Sequence, residues 1–201
     1  MAKVLVIYAH PGQRFSRANK SMAAEARNLK EITFVDLYAD YPRHDIDVAR
    51  EQKRLLDHDV VVFQFPIYWY STPSLLKEWL DLVLQYGFAY GHEGDALKGK
   101  TLLLAVTAGG PEDAYQAGGY QNYPLREFLL PLQQTAALCG MNFATPFVLF
   151  GALAADPQMG IVAHSSAYAK LLRAIRDDNY NLNDDGKSVV QAATLSTRIK
   201  G

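Results

Sequence analysis

The sequence predicts an α/β fold, a doubly wound five-stranded parallel sheet with helices on both faces. Three observations predict it. Five short apolar runs alternate with segments of helical spacing along the chain. The first and third runs, Val4-Leu5-Val6-Ile7 and Val60-Val61-Val62-Phe63, are apolar without alternation, as strands covered on both faces must be. No repeat or low-complexity tract interrupts the pattern, and right-handed crossovers then distribute the helices over both faces.

In chain order, residues 3–9 read as strand one and 18–29 as an amphipathic helix. Residues 32–37 form strand two, 47–56 a helix and 60–65 strand three. Pro73 suits the first turn of a helix reaching about Leu84, because its missing N–H is one that a helix start leaves unpaired anyway. Ser71 or Thr72 would cap that helix. Strand four covers 102–107, and 125–138 is a helix that Pro131 kinks or divides. Residues 143–150 are strand five, with Pro146 pointing to a short or late-starting strand. A helix over 164–177 closes a single domain of residues 1–177. The polar tail 178–201 either moves freely or wraps a partner subunit.

The composition excludes several functions. Lys plus Arg number 20 and Asp plus Glu 21, so the net charge of -1 gives no reason to expect nucleic acid as partner. No apolar stretch approaches the roughly 20 residues needed to cross a bilayer, so no membrane insertion is expected. The N-terminal run is too short for a signal-peptide core and lacks a cleavage site, which predicts a cytoplasmic protein. The single cysteine, Cys139, excludes an internal disulfide and reads as a buried thiol. No metal site is expected; the aspartates at 36, 40, 45 and 47 read as helix-flanking and solvent-facing, with His44, Asp45 and Asp47 the weak metal alternative.

Ligands of such sheets bind beyond the carboxyl ends of the strands, where the strand order switches. Three loops there are unusual. After strand one, His10 to Asn19 lacks both GxGxxG and a Walker lysine motif, yet places Ser16, Ala18 and Asn19 at a helix start suited to phosphate. After strand three, Pro66-Ile67-Tyr68-Trp69-Tyr70 puts aromatic rings at the sheet edge, where a flat ligand or a protein contact would occupy them. After strand four, Thr107-Ala108-Gly109-Gly110 lets backbone approach a ligand closely. Tyr115, Tyr120 and Tyr123 follow in a glycine-rich segment that reads as a mobile aromatic rim for a planar substrate.

These three loops, with Leu76-Lys77, Trp79 and Gly87-Phe88-Ala89-Tyr90-Gly91 between them, arrive in the order found in the NAD(P)H dehydrogenase (quinone) family of flavodoxin-like flavoproteins. The chain resembles that family from about Val4 to Arg176, and especially its small quinone reductases ancillary to glutathione-regulated potassium-efflux systems. The resemblance implies a flavodoxin-like fold and hydride transfer from NAD(P)H through flavin N5 to a quinone. FMN is the implied flavin, and FAD is the alternative that the long tail keeps open. It implies that His10, Ser16, Ala18 and Asn19 hold the phosphate end, and that Pro66, Ile67, Tyr68 and Trp69 contact the ring. Thr107, Gly109 and Gly110 then address ring and ribityl chain. Tyr115 matches the family's catalytic tyrosine, while Tyr120 stands where larger members have a histidine. It further implies a homodimer, with Trp79, Phe88 and Tyr90 near the seam (core packing within the subunit is the alternative, and fits Trp79 nearly as well), and association with a potassium-efflux antiporter at the inner membrane face. Nitro- or azo-aromatic reduction at the same site, a flavin-bearing regulatory subunit and an electron carrier are the competing readings.

Overall fold

Strand β1 (Val4–Tyr8) runs through the middle of a parallel sheet, hydrogen-bonded to β2 (Ile32–Asp36) on one side and β3 (Val60–Pro66) on the other. Strand β4 (Thr101–Thr107) continues beyond β3, giving the order β2-β1-β3-β4-β5. These relations come from a computed structural model that describes residues 1–12, 16–184 and 186–200. Period-two alternation splits the apolar side chains between two layers. Leu5, Ile7, Val61, Phe63, Leu102 and Leu104 face one core, whereas Val4, Val6, Val60, Val62 and Leu103 face the other. Helices α3 (Val48–Leu56), α4 (Ser74–Val83) and α6 (Leu130–Leu138) cover the first face through Leu55, Leu76, Trp79 and Leu132. Helices α1 (Ala18–Arg27) and α7 (Val162–Arg176) cover the second through Met22, Tyr168, Leu171 and Leu172.

The fifth strand differs from the continuous run expected over 143–150. It is two pieces, β5 (Asn142–Phe143) and β6 (Phe147–Leu149), both paired to β4. Thr101 and Leu102 face β5 and Ala105 faces Phe147, so Leu103 and Leu104 oppose three residues, Ala144, Thr145 and Pro146. That is a bulge with one extra residue, and it accommodates the proline that could not donate to a ladder. On the outer edge, Val190 donates to the Pro146 carbonyl and accepts from the Val148 amide, each at 2.8 Å. The tail thus closes the sheet edge, with Tyr180, Val190 and Leu195 buried in the second core. Asp184 accepts two bonds from Arg126, at 2.7 and 3.1 Å, in the short helix α5 (Leu125–Phe128). This self-packing replaces the free or partner-wrapping tail that polarity suggested.

Three local expectations change for physical reasons. Pro73 itself is the N-cap of α4, and the first turn is met not by Ser71 or Thr72 but by Tyr38, whose hydroxyl accepts from the Leu75 amide at 3.3 Å. Trp79 is wholly buried instead of lying at a subunit seam, and its Nε1–H donates to Glu51 Oε2 at 3.0 Å. Glu51 has no exposed surface; Tyr41 donates to it at 2.6 Å and Arg54 neutralises it, which satisfies a carboxylate that could not otherwise be buried. Asp36 is also buried; it caps α2 (Leu37–Asp40) and pairs with Arg27 at 2.9 Å. His44 Nδ1 contacts Glu78 at 2.7 Å, and no three metal-ligating side chains converge among the described residues. Among those residues no helix is long and apolar enough to cross a membrane. Cys139 is buried, and burial raises its thiol above the ordinary value.

His164 stacks on Phe147 with centroids 4.4 Å apart and is buried with no partner for its Nε2. Burial depresses its pKa from 6.5 to about 4. The unfolded chain takes up this proton first as pH falls. The associated stability is therefore full above pH 6.5, declines as pH drops, and is exhausted below about 4. Urea denaturation should show a loss of about 3 kcal/mol across that window from this group, and His164→Phe should flatten the profile by a similar amount.

Candidate functional site

The site lies at the carboxyl ends of β1, β3 and β4, on either side of the point where the chain reverses from β2 back across β1 to β3. Two side chains join those ends. Gln64 Nε2 donates to the Asn19 carbonyl at 3.0 Å, and Asn19 Nδ2 donates to Thr107 Oγ1 at 2.7 Å. All three residues are buried. The chain of bonds ties the start of α1 to β3 and β4, so the three loops leave from one fixed frame. Asn19 therefore sits in the first turn of α1 as a tie and does not cap it.

A cavity of about 550 Å³ opens above this frame. Of the residues expected at the site, His10, Ser16, Ala18, Asn19, Pro66, Ile67, Tyr68, Thr107 and Gly109 all line it. Helix α1 begins there at Ala18 without a side-chain cap, so its first N–H groups face the cavity end. His10 donates from Nδ1 to the Pro11 carbonyl at 3.1 Å, and burial lowers its pKa, which keeps the imidazole neutral at pH 7. Gln13, Arg14 and Phe15 of this loop lie outside the described residues.

A second cavity of about 340 Å³ shares Ile67, Gly109 and Leu153 with the first and adds Trp69, Tyr70, Gly110, Tyr115 and Tyr120. Tyr68 and Ser71 exchange two backbone hydrogen bonds of 3.0 Å, with Trp69 and Tyr70 at φ of 46° and 64° between them. Both central residues of this two-residue turn are left-handed, the geometry that Asn-Gly normally fills. Holding two aromatic residues there costs roughly 1–3 kcal/mol each. In return Trp69 projects almost free of the protein, 92% exposed, and Tyr70 leans on Phe128 with centroids 4.9 Å apart. Tyr115 packs against Phe128 and Phe150. Burial raises the Tyr115 phenol above its ordinary value, against an opposing bond to the Gly110 backbone, so it remains a donor at neutral pH. Tyr120 is exposed, but its hydroxyl reaches over Gly110: a Cβ there would stand 2.5 Å from Tyr120 Oη and 3.3 Å from Tyr115. Both expected catalytic tyrosines thus meet at the same glycine.

Sequence reasoning missed the wall built by the loop after β6. Ala152 and Leu153 line the first cavity, and Leu153 lines the second. Gly151 and Ala152 donate to the Gly110 and Ala108 carbonyls at 2.7 and 2.9 Å, stitching this loop to the one after β4. Arg17 crosses to donate to the Leu153 carbonyl at 2.9 Å. The available signal was positional: residues 151–155 follow the last strand at the same sheet edge as the other three loops.

The profile of the flavodoxin-like fold matches residues 2–172. The chain belongs to the flavodoxin-like fold family. Among curated flavodoxin-like relatives, the glutathione-regulated potassium-efflux system ancillary protein KefG of Serratia proteamaculans is 46% identical over 171 residues, 85% of this chain and 93% of its own. Among solved structures, general stress protein 14 of Treponema denticola in complex with FMN superposes with a TM-score of 0.81 at 40% identity, covering 86% of this chain and 99% of that one. An NADPH-quinone reductase from P. pentosaceus superposes at 0.74 with 32% identity, covering 84% and 96%.

Replacing Asn19 by alanine keeps the Gln64 bond to its backbone carbonyl but removes the side-chain bond that ties the start of α1 to β4, leaving the buried Thr107 hydroxyl without that partner. The expected cost is about 1–3 kcal/mol, read by urea denaturation, with Thr107→Val costing a similar amount because it leaves the buried Asn19 Nδ2 without its acceptor.

Proposed function

We propose that this flavodoxin-like protein is an FMN-dependent oxidoreductase that draws two electrons from NAD(P)H and delivers them to a quinone. The observation that carries the reading is the pairing of two cavities end to end: a helix start beside one, an aromatic slot at the other, and Ile67, Gly109 and Leu153 common to both. An FMN molecule has the same division, with an anionic phosphate, a hydroxylated chain and a flat ring. The residues fit it. The uncapped start of α1 favours the phosphate, and Arg17 adds a nearby cation. Asn19 Oδ1 is buried with no partner and can accept from a chain hydroxyl. Gly109 and Gly110 leave room for the ring, since a Cβ on either would press on Leu153 or Tyr120. No residue of the tail lines either cavity among the described residues, which removes the support that an adenosine-reaching tail lent to FAD.

Bound there, the flavin supplies the two-electron chemistry between a nicotinamide and a planar acceptor. The protein's part is position and proton supply. Trp69, Tyr70 and Tyr120 line a slot of about 340 Å³, which on this reading takes one flat partner at a time. Tyr115, protonated at neutral pH, directs a hydrogen-bond donor beside Gly110, with Tyr120 as the second phenol. Neither phenol can carry the positive charge an imidazolium would, so the stabilisation they give is by hydrogen bonding alone. Nitro- or azo-aromatic acceptors would use the same slot. The names of the potassium-efflux relatives support a second reading, in which the protein also associates with a transporter of that class; co-purification with such a transporter tests it. A homodimer remains part of the proposal, with Phe88 and Tyr90, both partly buried against the first core, nearest its seam.

Protein purified without added cofactor should be yellow, and heat should release FMN in near-stoichiometric amount; a colourless protein that binds no flavin overturns the proposal. Because donor and acceptor share one slot, initial-velocity plots with both varied should be parallel, and intersecting lines would contradict that sharing. Gly110→Ala should push Tyr120 aside without unfolding the protein, since the clash is with the far end of an exposed side chain. The expected loss in kcat/KM for the acceptor is about tenfold, and adding Tyr120→Ala should recover part of it, a coupling of the kind found between contacting residues.

A further inference from the structure

Behind the Tyr70 wall lies a third cavity, of about 90 Å³, that the reaction as described does not use. Ile67 and Tyr70 line both it and the slot, so the two spaces share a wall. Its remaining walls are mainly apolar, through Phe65, Leu80, Phe128 and Leu132, with the hydroxyls of Ser71, Thr72 and Thr135 the polar groups among them and Thr72 Oγ1 buried without a partner. The one cation among its lining residues, Lys77, is held by both Asp81 oxygens at 2.5 and 2.7 Å. Phe128 belongs to the cavity wall and also stacks with Tyr70 and meets Tyr115 edge-on, so the aromatic cluster that shapes the slot is continuous with this second space.

We propose that this cavity is the subsite for a short alkyl substituent on the acceptor ring, so that the preferred quinones carry a chain of about three carbons beside the reacting carbonyl. The inference rests on the quinone reading of the slot. Size supports it: at about 90 Å³ the space is roughly a quarter of the 340 Å³ slot beside it, which suits a short alkyl group better than a second ring. Chemistry supports it too, because apolar walls reward each buried methylene and offer a charged substituent no free counter-ion. Tyr70 is the element that would admit the chain. It is half exposed, sits on the left-handed turn, and leans on Phe128.

The test compares 2,3-dimethyl-1,4-naphthoquinone with 2-methyl-3-propyl-1,4-naphthoquinone, a pair closely matched in redox chemistry. Both dissociation constants, by quenching of tryptophan fluorescence in the holoprotein, and kcat/KM are measured. The propyl compound should bind about tenfold more tightly, since each added methylene contributes roughly fourfold. Thr135→Phe, which fills the cavity from the surface of α6, should abolish that gain; Thr135→Leu should reduce it. Equal affinities in the wild-type protein, or a gain that survives Thr135→Phe, overturn the subsite. If neither compound accepts electrons while the affinity gap persists and responds to Thr135→Phe, the subsite stands and the quinone reading fails instead.

Discussion

The site depends on a chain of two buried hydrogen bonds, from Gln64 to the Asn19 backbone and from the Asn19 side chain to Thr107. Parallel strands by themselves leave their terminal loops independent, because ladder bonds end with the strand. Here the start of α1 is fastened to the last turns of β3 and β4 by side chains that water cannot reach. Competing solvent is absent, so each bond is worth more than it would be on the surface, and each loss costs more. The two cavities keep their alignment because the loops that line them originate from this one frame.

Around that frame the protein concentrates its irregular features. The Trp69-Tyr70 turn holds bulky residues in a region of backbone space that favours glycine, and the Ala144–Pro146 bulge interrupts the edge of β4. Strain of the first kind persists only where the flanking structure imposes it. Proline before the turn, the Tyr68–Ser71 bonds and the Pro73 start of α4 do so here. The bulge acts on the other side of the site. It adds one residue before β6, after which the 151–155 loop folds back onto Ala108 and Gly110 and completes the cavity wall. The tail then secures β6 by pairing along its free edge. Stability remote from the ligand and geometry near it are thus served by the same strand.

Buried charge is handled by local neutralisation. Glu51, lying under α3 and α4, is met by Arg54, Tyr41 and Trp79. Arg126 and Asp184 perform the same service between α5 and the tail. Neither arrangement touches the cavities, and each links two segments that apolar packing alone would hold with less geometric definition. His164 is the contrasting case, a buried ring that desolvation holds neutral and whose Nε2 has no partner among the described residues.

The sequence by itself determined the fold class, the strand and helix order and the three loops that carry the site. Those features follow from periodicity and from the position of unusual residues after strands, both local properties of the chain. The first cavity's lining by His10, Ser16, Asn19, Pro66, Ile67, Tyr68, Thr107 and Gly109 was legible on that ground, whereas the pairing of Tyr115 with Tyr120 came from the family resemblance and their meeting at Gly110 from the structure. Tertiary structure decided the rest. For Trp79 the resemblance suggested a subunit seam and the sequence allowed core packing nearly as well; its partner, Glu51, lies 28 positions earlier and becomes visible only when α3 and α4 pack. The tail looked solvent-directed because it is polar, yet its few apolar residues, Tyr180, Val190 and Leu195, meet the open edge of a strand that a proline had already broken. Leu153 and Arg17 join the site from loops separated by 136 positions. No local pattern records such pairings, because the energy that fixes them appears only when distant segments exclude water between them.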